Sequence, residues 1–299
     1  MKKENVKNYL KEVLTIRLKL PDRNINKTNI STEKDYALFC NKEDESLSKL
    51  IYYGIVDYAA NDFEIEKTEF KLEYLSKTRI KLDGSQKEGF YGEVLLNLVL
   101  QYLFETKKVI SKGYFYSTLE NSEPKGYDCY HFVENENGKI EFWFGEVKMH
   151  KTIDSGLRSV LKSINKALSK DYMDNNMLAI MENIQNLDKN LSRESLDLLK
   201  KLKSDQVVNP FQILIGIPNS KIRIIYPIML IYDSKKPDFE EEIFSNIEYI
   251  NSKLEELEID INEINKIEAE ILFIFLPINN SLKTKGEVLK WIEKKEPLI

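Results

Sequence analysis

Between Gln86 and Phe104 the chain carries a helical run that is apolar on almost every side: Phe90, Val94, Leu95, Leu96, Leu98, Val99, Leu100, Leu103 and Phe104. A helix this greasy has no broad solvent face and must be buried by other elements. Three strand-like segments follow, at 109–119, 127–134 and 139–149, and Asn137-Gly138 between the last two is a strong hairpin signal. A buried helix feeding a set of strands points to a layered α/β domain.

The rest of the chain extends that pattern. An amphipathic helix is expected from about Ser155 to Ser169, with Leu157, Val160, Leu161, Ile164 and Leu168 on its apolar side, and a further helical region reaches about Lys203. Strands recur at 211–218, 222–233 and 269–278, and a C-terminal helix covers Leu282–Glu293. Between 239 and 266, Ile243, Ile247, Ile250, Leu254, Leu257, Ile261 and Ile264 fall in steps of four and three, as in an amphipathic helix of three heptads. Residues 257–264 also alternate with period two, so the end of that helix stays open. The reading is an α-β-β-β-α-β core with a mixed sheet flanked by helices. Residues 1–82 combine a Lys-rich opening, a polar stretch at 21–35 and an apolar helix-like run at 46–60, with no recognisable chemistry. They read as an N-terminal subdomain ahead of a domain over 83–299, with a soft boundary near Leu82-Asp83-Gly84-Ser85.

Composition decides where such a domain works. With 299 residues, 42% of them hydrophobic, the chain buries about three quarters of its unfolded surface and needs no staple. Cys40 and Cys129 cannot form a disulfide framework or a zinc site by themselves. The opening residues hold no apolar run of signal-peptide length, and the most apolar stretches, 222–232 and 271–278, are far shorter than a membrane span. The expectation is a soluble cytoplasmic protein with reduced thiols and no membrane partner. The formal charge of -5 excludes a global positive field, so any nucleic acid must be met by a local basic patch or through a partner.

One constellation could carry chemistry: Glu93 on the buried helix, Asp128 at the start of the second strand, and Glu146 and Lys148 ending the third. Side chains two apart on a strand share a face, so Glu146 and Lys148 project together along the face of Phe142 and Phe144, and a hairpin neighbour can place Asp128 beside them. Carboxylates suit Mg²⁺, which polarises a phosphoryl oxygen and acidifies bound water, while an adjacent lysine can orient or deprotonate that water and offset transition-state charge. An acidic residue two before a lysine also occurs at Glu69/Lys71, Glu105/Lys107, Glu123/Lys125, Asp233/Lys235 and Glu293/Lys295, so spacing alone does not separate a site from strand-end rim residues. What sets Glu146/Lys148 apart is the apolar strand that leads to them and the glycine directly before. From the residues alone, Glu93, Asn97 and Gln101 read as the solvent stripe of an otherwise buried helix rather than as part of a site. Arg158, Lys162, Lys166 and Lys170 form a basic stripe on the following helix, either a solvated face or a track for a phosphate backbone. His131 reads as a locally bonded strand residue and His150 as a rim residue, and Cys129 lacks a base partner. No Walker A loop, GxGxxG or GxSxG motif is present.

A helix Glu, a strand Asp and a Glu-x-Lys strand end followed by a helix resemble the PD-(D/E)xK nuclease core, restriction-endonuclease-like in fold, although Tyr127 rather than Pro precedes the aspartate. More closely, EGFYGEVLLNLVL (88–100), KGYDCYHF (125–132), FGEVKMH (144–150), YPIMLIYDS (226–234) and FIFLPI (273–278) resemble the HamA family, nuclease subunits of Hachiman anti-phage defence, over about 85–299. That resemblance implies a catalytic set of Glu93, Asp128, Glu146 and Lys148. Asp128, Glu146 and the Val147 carbonyl would hold Mg²⁺ or Mn²⁺, with Glu93 supporting the metal or Lys148; on their position beside that site alone, Arg158, Lys162 and Lys166 are the candidate DNA contacts. It also implies a hetero-complex with a superfamily 2 helicase, HamB, that restrains the nuclease and releases it on aberrant DNA ends, after which DNA is degraded broadly. Two alternatives remain: a stand-alone restriction or repair endonuclease, and a non-catalytic partner-binding module on a nuclease-like fold.

Overall fold

The apolar segments pair into one mixed sheet covered by helices on both faces. The computed structural model describes residues 3–19, 23–24, 30–32, 35–42, 44–80, 87–118, 126–134, 139–182, 192–193, 195–197, 200, 222–234, 239–256 and 268–294. The hairpin turn at 137–138, the boundary at 82–85, the strand expected at 211–218 and the heptad end at 257–266 lie outside these residues.

In chain order the elements are α1 (Lys3–Val13), β1 (Leu14–Lys19), β2 (Arg23–Asn24), β3 (Ile30–Thr32), β4 (Tyr36–Cys40), α2 (Asp44–Ala59), α3 (Asp62–Ile65), α4 (Leu72–Thr78) and α5 (Lys87–Tyr102). Then come β5 (Lys107–Ile110), a 3₁₀ turn (Lys112–Phe115), β6 (Cys129–Glu134), β7 (Ile140–His150), α6 (Ile153–Ala167), α7 (Lys170–Glu182), β8 (Ile222–Asp233), α8 (Phe239–Glu256), β9 (Glu268–Ile278) and α9 (Ser281–Lys294). The main path of the sheet is β1-β4-β9-β8-β7-β6-β5. β6 runs antiparallel to both β5 and β7, while β7, β8, β9 and β4 are parallel neighbours and β1 closes antiparallel on β4.

Parallel central strands are buried on both faces and read as continuous apolar runs, which is why β8 and β9 carry IRIIYPIMLIY and ILFIFLPI. Pro227 sits in β8 between two paired neighbours and has no N–H to give. The β7–β8 ladder lapses at Phe144 and Gly145 and resumes at Glu146↔Ile228. One face of the sheet, with Phe142, Phe144, Tyr226 and Phe273, packs on α6 and α8. The other, with Trp143, Val147, Met149 and Met229, packs on α5, which is in turn covered by α2 and α1. Residues before 82 thus supply β1 and β4 to this sheet and α2 to the layer over α5. Gly54 allows that close crossing, since a Cβ there would lie 2.8 Å from Val94 Cγ1.

The strand expected at 109–119 is shorter than its pattern. β5 ends at Ile110, because Ser111 is drawn onto α2: its N–H donates to Asn61 Oδ1 at 2.8 Å and its hydroxyl to the Tyr58 carbonyl at 2.8 Å. The chain then turns through the 3₁₀ segment, with Gly113 so close to Ala59 that a Cβ would overlap its carbonyl.

Candidate active site

The site lies where β6 begins and β7 continues beyond it. Asp128 immediately precedes β6, and its N–H donates to the Gly145 carbonyl at 2.8 Å. Its side chain turns to the uncovered edge of β7, where Oδ2 accepts from Val147 N–H at 2.8 Å. In a strand the N–H and C=O of one residue point to the same edge, so the Val147 carbonyl faces Asp128's side as well. Gly145 is required for this closeness, because a Cβ there would overlap Cys129 Sγ and lie 2.9 Å from Leu96 Cδ2.

Burial alternates along 146–150, with Val147 and Met149 under α5 and Glu146 and Lys148 toward α6. Glu146 and Lys148 do share a face, and their side chains form an ion pair. Gly156 lets α6 approach, as a Cβ there would be 3.7 Å from both Lys148 Cβ and His150 Cδ2. Burial pushes the Glu146 carboxyl up, and the charge of Asp128 adds to this while Lys148 opposes it. For Lys148 burial acts downward, but Glu146, Asp128 and Glu93 outweigh it and the ammonium is held above its ordinary value.

Glu93 enters from α5, where residues 90–100 are all buried. The solvent-stripe alternative is therefore corrected: Glu93 and Asn97 are buried and Gln101 is half-buried, a polar line turned inward. Asn97 Oδ1 accepts from His131 Nε2 at 3.0 Å, and His131 Nδ1 lies 2.7 Å from Thr106 Oγ1. Burial holds that imidazole down to about 3, so it is a neutral core residue. Glu93 accepts from the Tyr58 hydroxyl. Its Oε2 is also 2.7 Å from Nζ of Lys112, which in turn lies 3.3 Å from Asp128 Oδ1. Burial raises the Glu93 carboxyl to about 7; Lys112 and Tyr58 act against this and Asp128 with it.

Sequence reasoning missed two of these groups. Lys112 fell inside an expected strand, although Ser111-Lys112-Gly113 is turn-forming and could have flagged the break. Tyr58 is one aromatic in an apolar run and gives no signal. A third addition is Tyr172 of α7, ring centroid 5.0 Å from that of Tyr127, with Lys166 Nζ 5.1 Å above its face. Half-buried and packed edge-on against Tyr127, the neighbour of Asp128, it lies at the rim of the cluster, and burial, Glu146 and Asp128 all raise its phenol. Lys162 and Lys166 are exposed on α6, and Arg158, also exposed, pairs with Asp154 one turn before it. Burial pushes the Cys129 thiol well up, away from nucleophilic use.

Among the described residues no group of three or more His, Cys, Asp or Glu side chains is arranged to hold a metal ion, and no helix is long and apolar enough to cross a membrane. The donor chemistry nevertheless suits a hard cation: two carboxylates and a backbone carbonyl, all oxygen. Each carboxylate already faces an ammonium group, which marks these as places where positive charge is stabilised.

The family model described as HamA matches residues 8–294 of this chain. No curated protein and no solved structure matches.

Proposed function

The chain belongs to the HamA family and so is a component of Hachiman anti-phage defence, and from that premise we propose that it is the system's metal-dependent DNA nuclease, built on a restriction-endonuclease-like core and controlled by a helicase partner, HamB. The observation that carries this reading is the convergence of Asp128, the Val147 edge and the Glu146/Lys148 pair at one strand end. The order α5, β5, β6, β7, α6 and then parallel β8 supports the same core.

Asp128, Glu146 and the Val147 carbonyl would hold Mg²⁺ or Mn²⁺. Such a cation, when bound, supplies Lewis-acid polarisation of the phosphate and a more acidic water. Lys148, charged beside Glu146, orients the attacking water and offsets charge on the pentacoordinate phosphorus. The Val147 N–H fixes the Asp128 carboxylate, and Tyr58 and Lys112 fix Glu93. The exposed lysines of α6 and the Tyr172 rim would receive the DNA backbone.

Replacing Glu146 by Ala tests the assignment. Cleavage of linear DNA in Mg²⁺ should fall by about 10² or more, as for loss of one charge-stabilising group in other active sites, while the melting temperature and partner co-purification are kept. Undiminished cleavage would remove Glu146 from the chemistry.

A further inference from the structure

Within the cluster, Lys112 takes no chemical step in that mechanism. Lys112 Nζ stands 2.7 Å from Glu93 Oε2 and 3.3 Å from Asp128 Oδ1, and its side chain is only 9% exposed. The backbone that carries it is anchored on both sides. Ser111 bonds to Asn61 and Tyr58 of the α2 end, and Gly113 abuts Ala59. Only the side chain is therefore left to move, and it is aimed between two carboxylates.

Two carboxylates this close and this buried repel unless a positive charge lies between them. At this end of the sheet Glu93, Asp128 and Glu146 face Lys112 and Lys148, so the ammonium groups offset most of the negative charge. An ammonium offers three donors and no acceptor, and it competes for the same oxygen lone pairs as a divalent cation. We propose that Lys112 is a built-in counter-cation that holds Glu93 and Asp128 together before metal binds and competes with the metal for Asp128, so that loading requires its ammonium to be withdrawn from that carboxylate while it stays on Glu93. This rests on reading the cluster as a metal centre, and it adds a control on that centre: how readily it loads is set by Lys112.

The test is a calorimetric Mn²⁺ titration of the full chain, in wild type, Lys112→Met, Lys112→Gln and a control, Lys151→Met, at an exposed lysine just before α6. Removing the competing charge should tighten Mn²⁺ binding by about tenfold or more in both Lys112 variants. The Lys151 control should stay within about twofold of wild type, which separates local competition from a loss of overall charge. Circular dichroism melts establish that each variant is folded. Lys112→Gln, which keeps a polar group beside Glu93, is the variant read if Lys112→Met does not fold. Equal or weaker Mn²⁺ binding in the folded Lys112 variants overturns the inference and leaves the metal-centre reading standing. If neither wild type nor variants bind Mn²⁺, the metal-centre reading falls and takes the inference with it.

Discussion

Glu93 and His131 sit about one helical turn apart in their contacts, Glu93 at the cluster and His131 on Asn97, yet burial acts on them with opposite consequences. His131 is held near 3, below its unfolded value, so the stability it contributes is present above about pH 6.5 and is lost as pH falls. Glu93 is raised to about 7, above its unfolded value, so the folded state gains relative stability as pH falls from 7 toward 4.5. The two slopes oppose each other in the same window. Glu93→Gln removes one of them. In metal-free buffer its unfolding free energy should drop by roughly 2 kcal/mol more than that of wild type between pH 6.5 and pH 5. Denaturant titrations at the two pH values check this, and parallel wild-type and variant slopes would refute it. Asp128, Glu146 and Lys148 could be singled out from residue type and position, and the structure brings them to one strand end, whereas from the residues alone Glu93 read as a solvent-stripe position and only its burial shows that it turns inward. Lys112 could not be singled out, because its role depends on where a turn aims it.

At the scale of elements, strand β7 does most of the positioning. It leaves β6 behind at Gly145, passes beside Pro227, and presents Glu146 and Lys148 to one face and Val147 to the other. Gly145→Val should therefore overpack the α5–β6 junction and cost about 1–3 kcal/mol of stability, together with cleavage, as measured by melting and nuclease assays on the same preparation. A variant of wild-type stability and activity would show that the junction relaxes freely. On α6, Leu157, Val160 and Ile164 hold the sheet while Lys162 and Lys166 stay outside. Replacing both lysines by Ala should lower DNA affinity for all sequences alike and reduce the salt slope by about 1–2, with melting unchanged; an unaltered salt dependence would mean the stripe is only a solvated face. Periodicity made α5, α6, β7, β8 and β9 legible to within a residue or two, since these are the elements with the clearest apolar patterns. It overextended the strand that ends at Ile110, where a tertiary contact from Ser111 to α2 overrides the strand propensity of the aromatic residues that follow.

At the scale of the whole molecule, the sheet crosses the boundary suggested by sequence, with β4 parallel to β9 and α2 over α5. Strand pairing between residues far apart leaves no local mark, so this joining could not be read from residues 1–82 alone. The net charge of -5 sets a molecule-wide limit on DNA capture. With a basic stripe exposed on α6, the isolated chain should bind DNA weakly at physiological salt and depend on the proposed partner to be placed there. Asp128, Glu146 and Lys148 are proposed to cut DNA under the control of a helicase. This is read most directly from DNA degradation by the chain co-purified with the proposed helicase partner, with Mg²⁺ and ATP, comparing wild type with Lys148→Ala. Wild type should degrade linear DNA, EDTA should stop it, and the folded, partner-bound Lys148→Ala complex should leave the DNA whole. Degradation by Lys148→Ala at the wild-type rate, or intact DNA with the wild-type complex, would contradict the account.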